Sequence, residues 1–369
     1  MSVLRPRPPE DPLAYDGGGW SPGPLADRLA AIRDRLVAAP GELGLAPRTL
    51  EEYDTRRPES RLFAILSAAR RIREAVDRLV IVAGGSIGPA TRLLAASCCH
   101  PFHDQLPRGE RGGRPRLSWL DGRSGNDTLQ GLVDVVAPPG GPRADDLLDR
   151  WALLTVDPGA ADPRQQEIEG ILLQRLAGAL GVDPPRLAER VIPIAAGPGA
   201  GSAATGRLGS PLRFIAEAGL DSAAAVFTAG GLLPAAVAGI DVVQLLKGAA
   251  AMLRRFAEAP LAENPAIIDA AIACEGARRG RAGRCFVGDD AWVSTLGEWH
   301  AAVRPAAPGV AALVTRLGSG EPRRDRIVGP PPGEPALIGL PRVDEHALGQ
   351  LLQLLMLSAA VERQLLEAV

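Results

Sequence analysis

The chain has 369 residues, of which 46% are hydrophobic and 23% are charged, so it is long enough for two packed domains of ordinary size. Its 41 basic and 43 acidic residues give a net charge of −2, which excludes a nucleic-acid-binding protein that neutralises phosphates over a broad surface. Lys247 is the one lysine of the sequence, so a mechanism that needs two lysines is also excluded.

Residues 1–58 are rich in proline and are predicted to form an arm with one helix over residues 25–37, where apolar residues recur at helical spacing. The sequence after Met1 has no apolar signal region, and its four cysteines do not form a secreted disulfide framework, so we expect a cytoplasmic protein. The uncharged stretch 223–240 contains glycine, proline and many alanines, which indicates a buried core helix and no membrane span.

Residues 59–206 are predicted to form a first α/β domain, because short apolar runs alternate with helical patterns. Such alternation is typical of a parallel sheet that is covered by helices on both faces. The predicted helices span 61–75, 89–96, 128–136 and 164–180, and the predicted strands span 79–82, 116–120, 152–156 and 191–195.

Residues 207–369 are predicted to form a second α/β domain, with the glycine-rich segment 197–209 near the boundary. A long helical region over 220–258 is expected to break near Pro234. The remaining predicted elements are a helix over 265–278, strands over 284–287 and 310–314, and a C-terminal helix over 344–368.

The glycine-rich turn Gly84-Gly85-Ser86 lies between a predicted strand and a predicted helix. Glycines at this place let the backbone approach a phosphate, and the helix N-terminus supplies N–H donors. A phosphate or sugar-phosphate contact is therefore one interpretation, and a plain tight turn is the other. The sequence is neither a dinucleotide fingerprint nor a Walker loop, so we predict no cofactor.

The segment Cys98-Cys99-His100-Pro-Phe-His103 holds four residues of metal-binding type. Adjacent residues rarely aim at one ion, and structural zinc sites separate their cysteines by two to four residues. A helix end followed by a loop is the better interpretation, and we predict no metal site. His300 and His346 are interpreted as surface or structural histidines, and the arginines of residues 323–326 as a solvated loop.

Long stretches of the sequence resemble the phosphoglucose isomerase (glucose-6-phosphate isomerase) family. The matching motifs are Gly84-Gly85-Ser86, SCCHPFHDQ (97–105), NDTLQG (126–131), GLLPAAVAGID (231–241) and VDEHALGQLLQ (343–353). The resemblance covers most of residues 60–369. It implies two doubly wound, SIS-type (sugar isomerase) domains with mainly parallel sheets, a homodimer, and the interconversion of glucose 6-phosphate and fructose 6-phosphate in glycolysis and gluconeogenesis. From the charge and composition of the sequence we expect neither a nucleic-acid partner nor a membrane partner.

The family's functional positions are mostly replaced in this chain. Its first phosphate turn is kept as Gly84, Gly85 and Ser86, which are the residues expected to contact a sugar phosphate. Its second phosphate loop, Ser-Lys-Ser-Gly-Gly-Thr, aligns with Asp157-Pro-Gly-Ala-Ala-Asp162, so two carboxylates replace hydroxyls and an ammonium group. The family's enediolate-stabilising arginine aligns with Ala223.

The proton-transfer groups are missing as well. The position of the family's glutamate falls near Ala306, its ring-opening histidine segment is shortened around residues 318–323, and the chain ends before its terminal lysine motif. We therefore predict a pseudoenzyme with this family's fold. The alternative is an active isomerase that uses shifted residues, for which Glu298 and His300 are the candidate catalytic groups.

Overall fold

A computed structural model describes residues 13–17, 20–138, 146–157, 162–181, 183–195, 205, 208–215, 222–288, 290–304, 311–319, 337–340 and 343–367. The chain forms two compact units. The first unit comprises Arg48–Val242 and Glu298–Val303, and the second comprises the described residues of Met1–Pro47, Val243–Gly297 and Arg304–Val369. The sequence predicted divisions at residues 58 and 206, and these limits differ from the ones that the contacts give.

Within the described residues, nine strands form two sheets. The strands are β1 (Ala14–Asp16), β2 (Arg78–Ala83), β3 (Arg116–Leu120), β4 (Trp151–Asp157), β5 (Val191–Ala195), β6 (Phe214–Ile215), β7 (Gly283–Val287), β8 (Ala312–Ser319) and β9 (Leu337–Leu340). The first unit holds the sheet β3-β2-β4-β5-β6, in which every pairing is parallel. The second unit holds the sheet β1-β9-β8-β7.

Helices flank both sheets. They are α1 (Ala26–Ala38), α2 (Leu45–Thr55), α3 (Arg61–Ala75), α4 (Ile87–Cys98), α5 (Asn126–Val136), α6 (Pro163–Ala179), α7 (Pro184–Arg190), α8 (Ala229–Ala238), α9 (Val242–Glu258), α10 (Pro265–Arg278), α11 (Trp292–Val303) and α12 (Glu345–Glu367). Their alternation with parallel strands confirms the predicted α/β class, with mainly parallel sheets flanked by helices.

The core of the first unit lies on its two central strands. β2 and β4 are almost wholly buried, with runs of Val, Ile and Leu that pack against α5 and α6 on one face. Burial on both faces explains why these strands lack a polar alternation in the sequence. Ala83, the last residue of β2, pairs with Val156, one residue before β4 ends, so the segments that follow the two strands emerge at the same edge of the sheet.

The stretch 223–240, predicted as a buried core helix, forms a 3₁₀ helix over Ala223–Phe227 followed by α8. Every residue of α8 is buried, and α8 packs against α3 and α4 within the first unit. This packing places residues 229–238 with the first sheet, whereas the sequence assigned them to the second domain. The predicted break near Pro234 is wrong. Pro234 lies inside α8, and the helix ends at Gly239, whose φ of 85° is the left-handed conformation that glycine adopts without strain.

The N-terminal segment joins the second unit's sheet as β1, which pairs antiparallel with β9. The sequence predicted no strand here, because three residues carry too little pattern to distinguish a strand from a loop. The strands β7, β8 and β9 pair in parallel. The sequence predicted strands near β7 and β8, and it did not predict β9. Among the described residues, no helix is both long and apolar enough to cross a bilayer.

Candidate functional site

The turn Gly84-Gly85-Ser86 connects β2 to α4 at the carboxyl edge of the first unit's sheet. Gly85 has a φ of 60°, which favours glycine. A Cβ on Gly84 would lie 2.9 Å from Oε1 of Gln165, so the close approach of α6 also favours glycine here. The turn therefore has the strand–glycine–helix geometry that the sequence predicted.

The hydroxyl of Ser86 is directed into the protein. Ser86 is 1% exposed, and its Oγ donates a hydrogen bond to the carbonyl oxygen of Ser222 at 2.8 Å. A phosphate dianion offers acceptors and no donors, so a ligand phosphate would compete with Ser222 for this proton. At the start of α4, Pro89 has no N–H to offer, and Ile87 is fully buried.

The hydrogen bond from Ser86 also places Ala223 beside the turn. Ser222 caps a 3₁₀ helix over Ala223–Phe227, with its Oγ accepting the N–H of Ala224 at 3.0 Å. Ala223, with which the sequence analysis aligned the family's arginine, is thus the residue next to the carbonyl that Ser86 contacts. Its side chain is an uncharged methyl group.

The two aspartates that the sequence analysis aligned with the family's second phosphate loop lie at the end of β4 and the start of α6. Asp157 is the last residue of β4, and residues 158–161 lie outside the described part of the chain. Asp162 caps α6, and its Oδ1 accepts the N–H groups of Arg164 at 3.0 Å and Gln165 at 3.2 Å. The donors at this helix end are therefore bonded to a carboxylate of the protein itself.

Two buried polar residues of α6, which the sequence analysis missed, approach the same edge of the sheet. Gln165 is 4% exposed and Glu169 is 1% exposed. Nε2 of Gln165 donates to the carbonyl oxygen of Val156 at 2.7 Å and to Oε1 of Glu169 at 3.0 Å. Their spacing of four residues on an otherwise apolar face is the sequence signal that could have identified them.

The candidate catalytic residues Glu298 and His300 lie on the part of α11 that belongs to the first unit. Glu298 is more than half exposed, and its carboxylate lies 3.7 Å from Nε of Arg92 on α4. Arg92 follows Ser86 by a distance of about 9 Å along the helix, at a rise of about 1.5 Å per residue. His300 is buried and makes polar contacts. Ala306, the aligned position of the family's glutamate, lies outside the described residues.

The histidine- and cysteine-rich segment is the end of α4 followed by a loop, as the sequence predicted. His100 accepts the N–H of Phe102, and Nε2 of His103 lies 3.1 Å from the carbonyl oxygen of Pro115. The described residues contain no group of three or more His, Cys, Asp or Glu side chains that could hold a metal ion. His346 contacts Gln350 within α12, and residues 323–326 lie outside the described part.

Three curated glucose-6-phosphate isomerases are similar to this chain in sequence. The protein from Rubrobacter xylanophilus is 33% identical in an alignment 285 residues long, which covers 70% of this chain and 55% of the relative. The chain is a homologue of glucose-6-phosphate isomerases. The proteins from Symbiobacterium thermophilum and Heliobacterium modesticaldum are 29% and 27% identical over 68% and 64% of the chain, which covers 52% and 50% of their lengths.

This homologue of glucose-6-phosphate isomerases spans about half the length of the curated relatives it matches. No family model matches the sequence.

Two solved structures share its fold. A hypothetical protein from Thermus thermophilus has a TM-score of 0.68 at 19% identity, with 96% of this chain and 94% of that chain covered. A glucose-6-phosphate isomerase from Chlamydia trachomatis has a TM-score of 0.54 at 10% identity, with 82% and 68% covered. These likenesses confirm the predicted fold class.

Proposed function

We propose that this chain is a non-catalytic homologue of glucose-6-phosphate isomerases, a pseudoenzyme that acts in the cytoplasm through binding or assembly. The proposal joins the sequence similarity, which gives the isomerase ancestry, to the geometry at the carboxyl edge of the first unit's sheet. We also propose that it forms a homodimer, by its resemblance to the family.

The capping of α6 by Asp162 carries the proposal. Its carboxylate accepts the N–H groups of Arg164 and Gln165, and a sugar phosphate would need such donors at this aligned loop. A second carboxylate, Asp157, ends the preceding strand. Two unit charges about 4 Å apart interact by about 4 kcal/mol at an effective dielectric near 20, so replacing attraction by repulsion weakens phosphate binding by several powers of ten.

Ser86 and Ala223 add to this argument. The Ser86 hydroxyl donates to Ser222, and the adjacent Ala223 stands at the aligned position of the electrostatic stabiliser. The turn Gly84-Gly85-Ser86 therefore keeps its backbone shape while its one hydroxyl serves the protein's own structure.

The test is a coupled assay in which glucose-6-phosphate dehydrogenase reduces NADP⁺ as fructose 6-phosphate is isomerised. We expect the purified protein to give no more turnover than buffer, while an active glucose-6-phosphate isomerase gives full turnover under the same conditions. Saturable turnover by the wild-type protein would overturn the proposal.

The same assay addresses the alternative of an active isomerase with shifted residues. That alternative requires turnover that falls on Glu298→Gln or His300→Gln. Glu298 lies beside Arg92, which could orient its carboxylate, and this contact is the observation in its favour. Turnover that is lost in either variant would establish the alternative in place of the pseudoenzyme.

A further inference from the structure

A cavity of about 120 Å³ opens at the amino edge of the first unit's sheet, the edge opposite to the turn Gly84-Gly85-Ser86. It lies where β4 begins, α6 ends and α7 runs towards β5. We call it the amino-edge cavity. The residues that line it are Asp149, Arg150, Trp151, Leu176, Ala179, Leu180, Arg186, Glu189 and Arg190.

The inner wall of the amino-edge cavity is apolar. Trp151 and Leu176 are almost fully buried, and Ala179 and Leu180 are half-buried. An apolar cavity of roughly 150 Å³ is large enough to hold benzene in a well-studied protein core. The amino-edge cavity is smaller than that and lies next to an indole ring, so a single six-membered ring is the largest ring system that we expect it to hold.

The mouth of the cavity carries an excess of positive charge. The residues at the mouth include three arginines, Arg150, Arg186 and Arg190, and only two carboxylates, those of Asp149 and Glu189. Arg190 is held in place because its Nη1 donates to the carbonyl oxygen of Ala75 at 2.6 Å. Within the part of the chain that the structure describes, Arg186 makes no hydrogen bond or ion pair.

The like charges at the mouth oppose one another. Burial lowers the pKa of Arg190, and the neighbouring Arg150 and Arg186 lower it further, while Glu189 raises it. A bound anion between these guanidinium groups would relieve the repulsion. The carboxyl end of α6 opposes an anion, but its partial charge of about half a unit is smaller than the net charge of about +1 that the three arginines and two carboxylates leave at the mouth.

We propose that the amino-edge cavity binds a small aromatic monocarboxylate, with its ring against Trp151 and Leu176 and its carboxylate on Arg150 and Arg186. Arginine suits this role because its planar fork matches the two oxygens of a carboxylate. This site goes beyond the proposed function, which concerns the opposite edge, and it can exist whether or not the chain is catalytically active.

The probe is benzoate, with binding to the full chain measured by titration calorimetry and by tryptophan fluorescence. We expect saturable binding that changes the emission of the wild-type protein. Because hydrogen bonds to a charged group are among the stronger ones, Arg186→Gln should weaken binding about tenfold, and Arg186→Lys should weaken it less. Ala179→Leu, which adds bulk to the wall, should also weaken binding.

The matched control is Arg123→Gln, which removes an arginine whose side chain is 81% exposed near the carboxyl edge. It should bind benzoate as the wild type does. Each variant is first compared with the wild type by thermal unfolding, and Arg186 is exposed enough that its replacement should leave the melting temperature unchanged.

Two further ligands separate the parts of the proposal. Benzamide, which has the ring without the charge, and inorganic phosphate, which has the charge without the ring, should each bind at least tenfold more weakly than benzoate. The proposal is overturned by an absence of benzoate binding at millimolar concentration, by equal binding to wild type and Arg186→Gln, or by phosphate binding as tight as that of benzoate.

Discussion

The side-chain hydroxyl of Ser86 donates a hydrogen bond to the main-chain carbonyl of Ser222, which lies 136 residues further along the chain, at 2.8 Å. Ser86 is the residue directly before α4, and Ser222 caps the 3₁₀ helix that precedes α8. The hydrogen bond therefore joins the glycine turn to a segment that packs against α4 and α8. Ser86, which the sequence predicts to contact a sugar phosphate, thus makes a hydrogen bond within the protein.

We expect Ser86→Ala to lower the free energy of unfolding by about 1–2 kcal/mol, because the substitution removes a buried hydrogen bond and leaves the Ser222 carbonyl without that donor. Chemical denaturation measures the change. The control is Ser294→Ala, since Ser294 also donates to a backbone carbonyl at 2.8 Å but is exposed. An equal loss of unfolding free energy in both variants would show that the Ser86 hydrogen bond stabilises the fold no more than an exposed one does.

The contact between Gly122 and Asp162 provides a second prediction. A Cβ on Gly122 would overlap the carboxylate that caps α6. We expect Gly122→Ala to displace this carboxylate and to cost about as much as losing the cap, which is typically about 1 kcal/mol.

A double-mutant cycle with Asp162→Ala isolates this effect, because removal of the carboxylate leaves room for the new methyl group. Gly122→Ala should then cost little in the Asp162→Ala background, and the coupling between the sites should exceed about 0.5 kcal/mol, the limit of additivity for independent sites. Additive losses would contradict the interpretation.

The carboxylate of Asp77 is the centre of a third prediction. It is fully buried and pairs with Arg108 at 2.8 Å, Arg111 at 2.5 Å and Arg116. Asp77→Ala leaves three guanidinium groups without their shared counter-charge, so we expect it to cost about 3–5 kcal/mol in the free energy of unfolding.

The matched control for Asp77 is Asp34→Ala. Asp34 pairs with Arg33 at 3.0 Å, but its side chain is 67% exposed. Exposed pairs of this kind contribute about 0–1 kcal/mol. If Asp77→Ala cost no more than Asp34→Ala, the buried cluster would be irrelevant to stability.

The sequence predicts the regular elements of this fold well where burial and pattern agree. The strands Arg116–Leu120 and Val191–Ala195 and the helices Arg61–Ala75 and Pro265–Arg278 have the predicted bounds. The β-branched run of Val191–Ala195 and helix caps such as Ser60, whose Oγ accepts the N–H of Phe63, define such elements locally.

The features that the sequence did not predict depend on partners far along the chain. The strand β1 exists because residues 14–16 pair with 337–339, and a three-residue segment shows no such preference by itself. The end of α8 is set by Gly239, although Pro234 is the stronger local signal for a break.

Only part of the candidate site could be read from the sequence. The turn at Gly84–Ser86 follows from its glycines, whereas the direction of the Ser86 hydroxyl depends on where Ser222 lies. The approach of Gln165 to Gly84 and the charge of the amino-edge cavity likewise come from packing between separate elements.

The last prediction concerns Tyr15 of the second unit, which is largely shielded from solvent. The hydroxyl of Tyr15 donates to Oδ1 of Asp269 at 2.9 Å, and Asp269 also pairs with Arg284 and accepts from Ser358. Burial, followed by the charge of Asp269, raises the pKa of Tyr15 well above its ordinary value of 10.0, while Arg284 opposes the shift. The folded protein therefore disfavours the tyrosinate, and the stability that Tyr15 contributes is present below about pH 10 and is lost as the pH rises beyond it.

Tyr15→Phe should lower the free energy of unfolding by about 1 kcal/mol near pH 8, because one hydrogen bond is lost. Above about pH 10 the difference from wild type should shrink, since the variant has no hydroxyl at this position to ionise on unfolding. The control is Tyr53→Phe, which removes the other of the chain's two tyrosines and should keep the alkaline loss of stability. Urea denaturation across this pH range measures all three proteins, and parallel curves for wild type and Tyr15→Phe would show that ionisation of Tyr15 is not linked to unfolding.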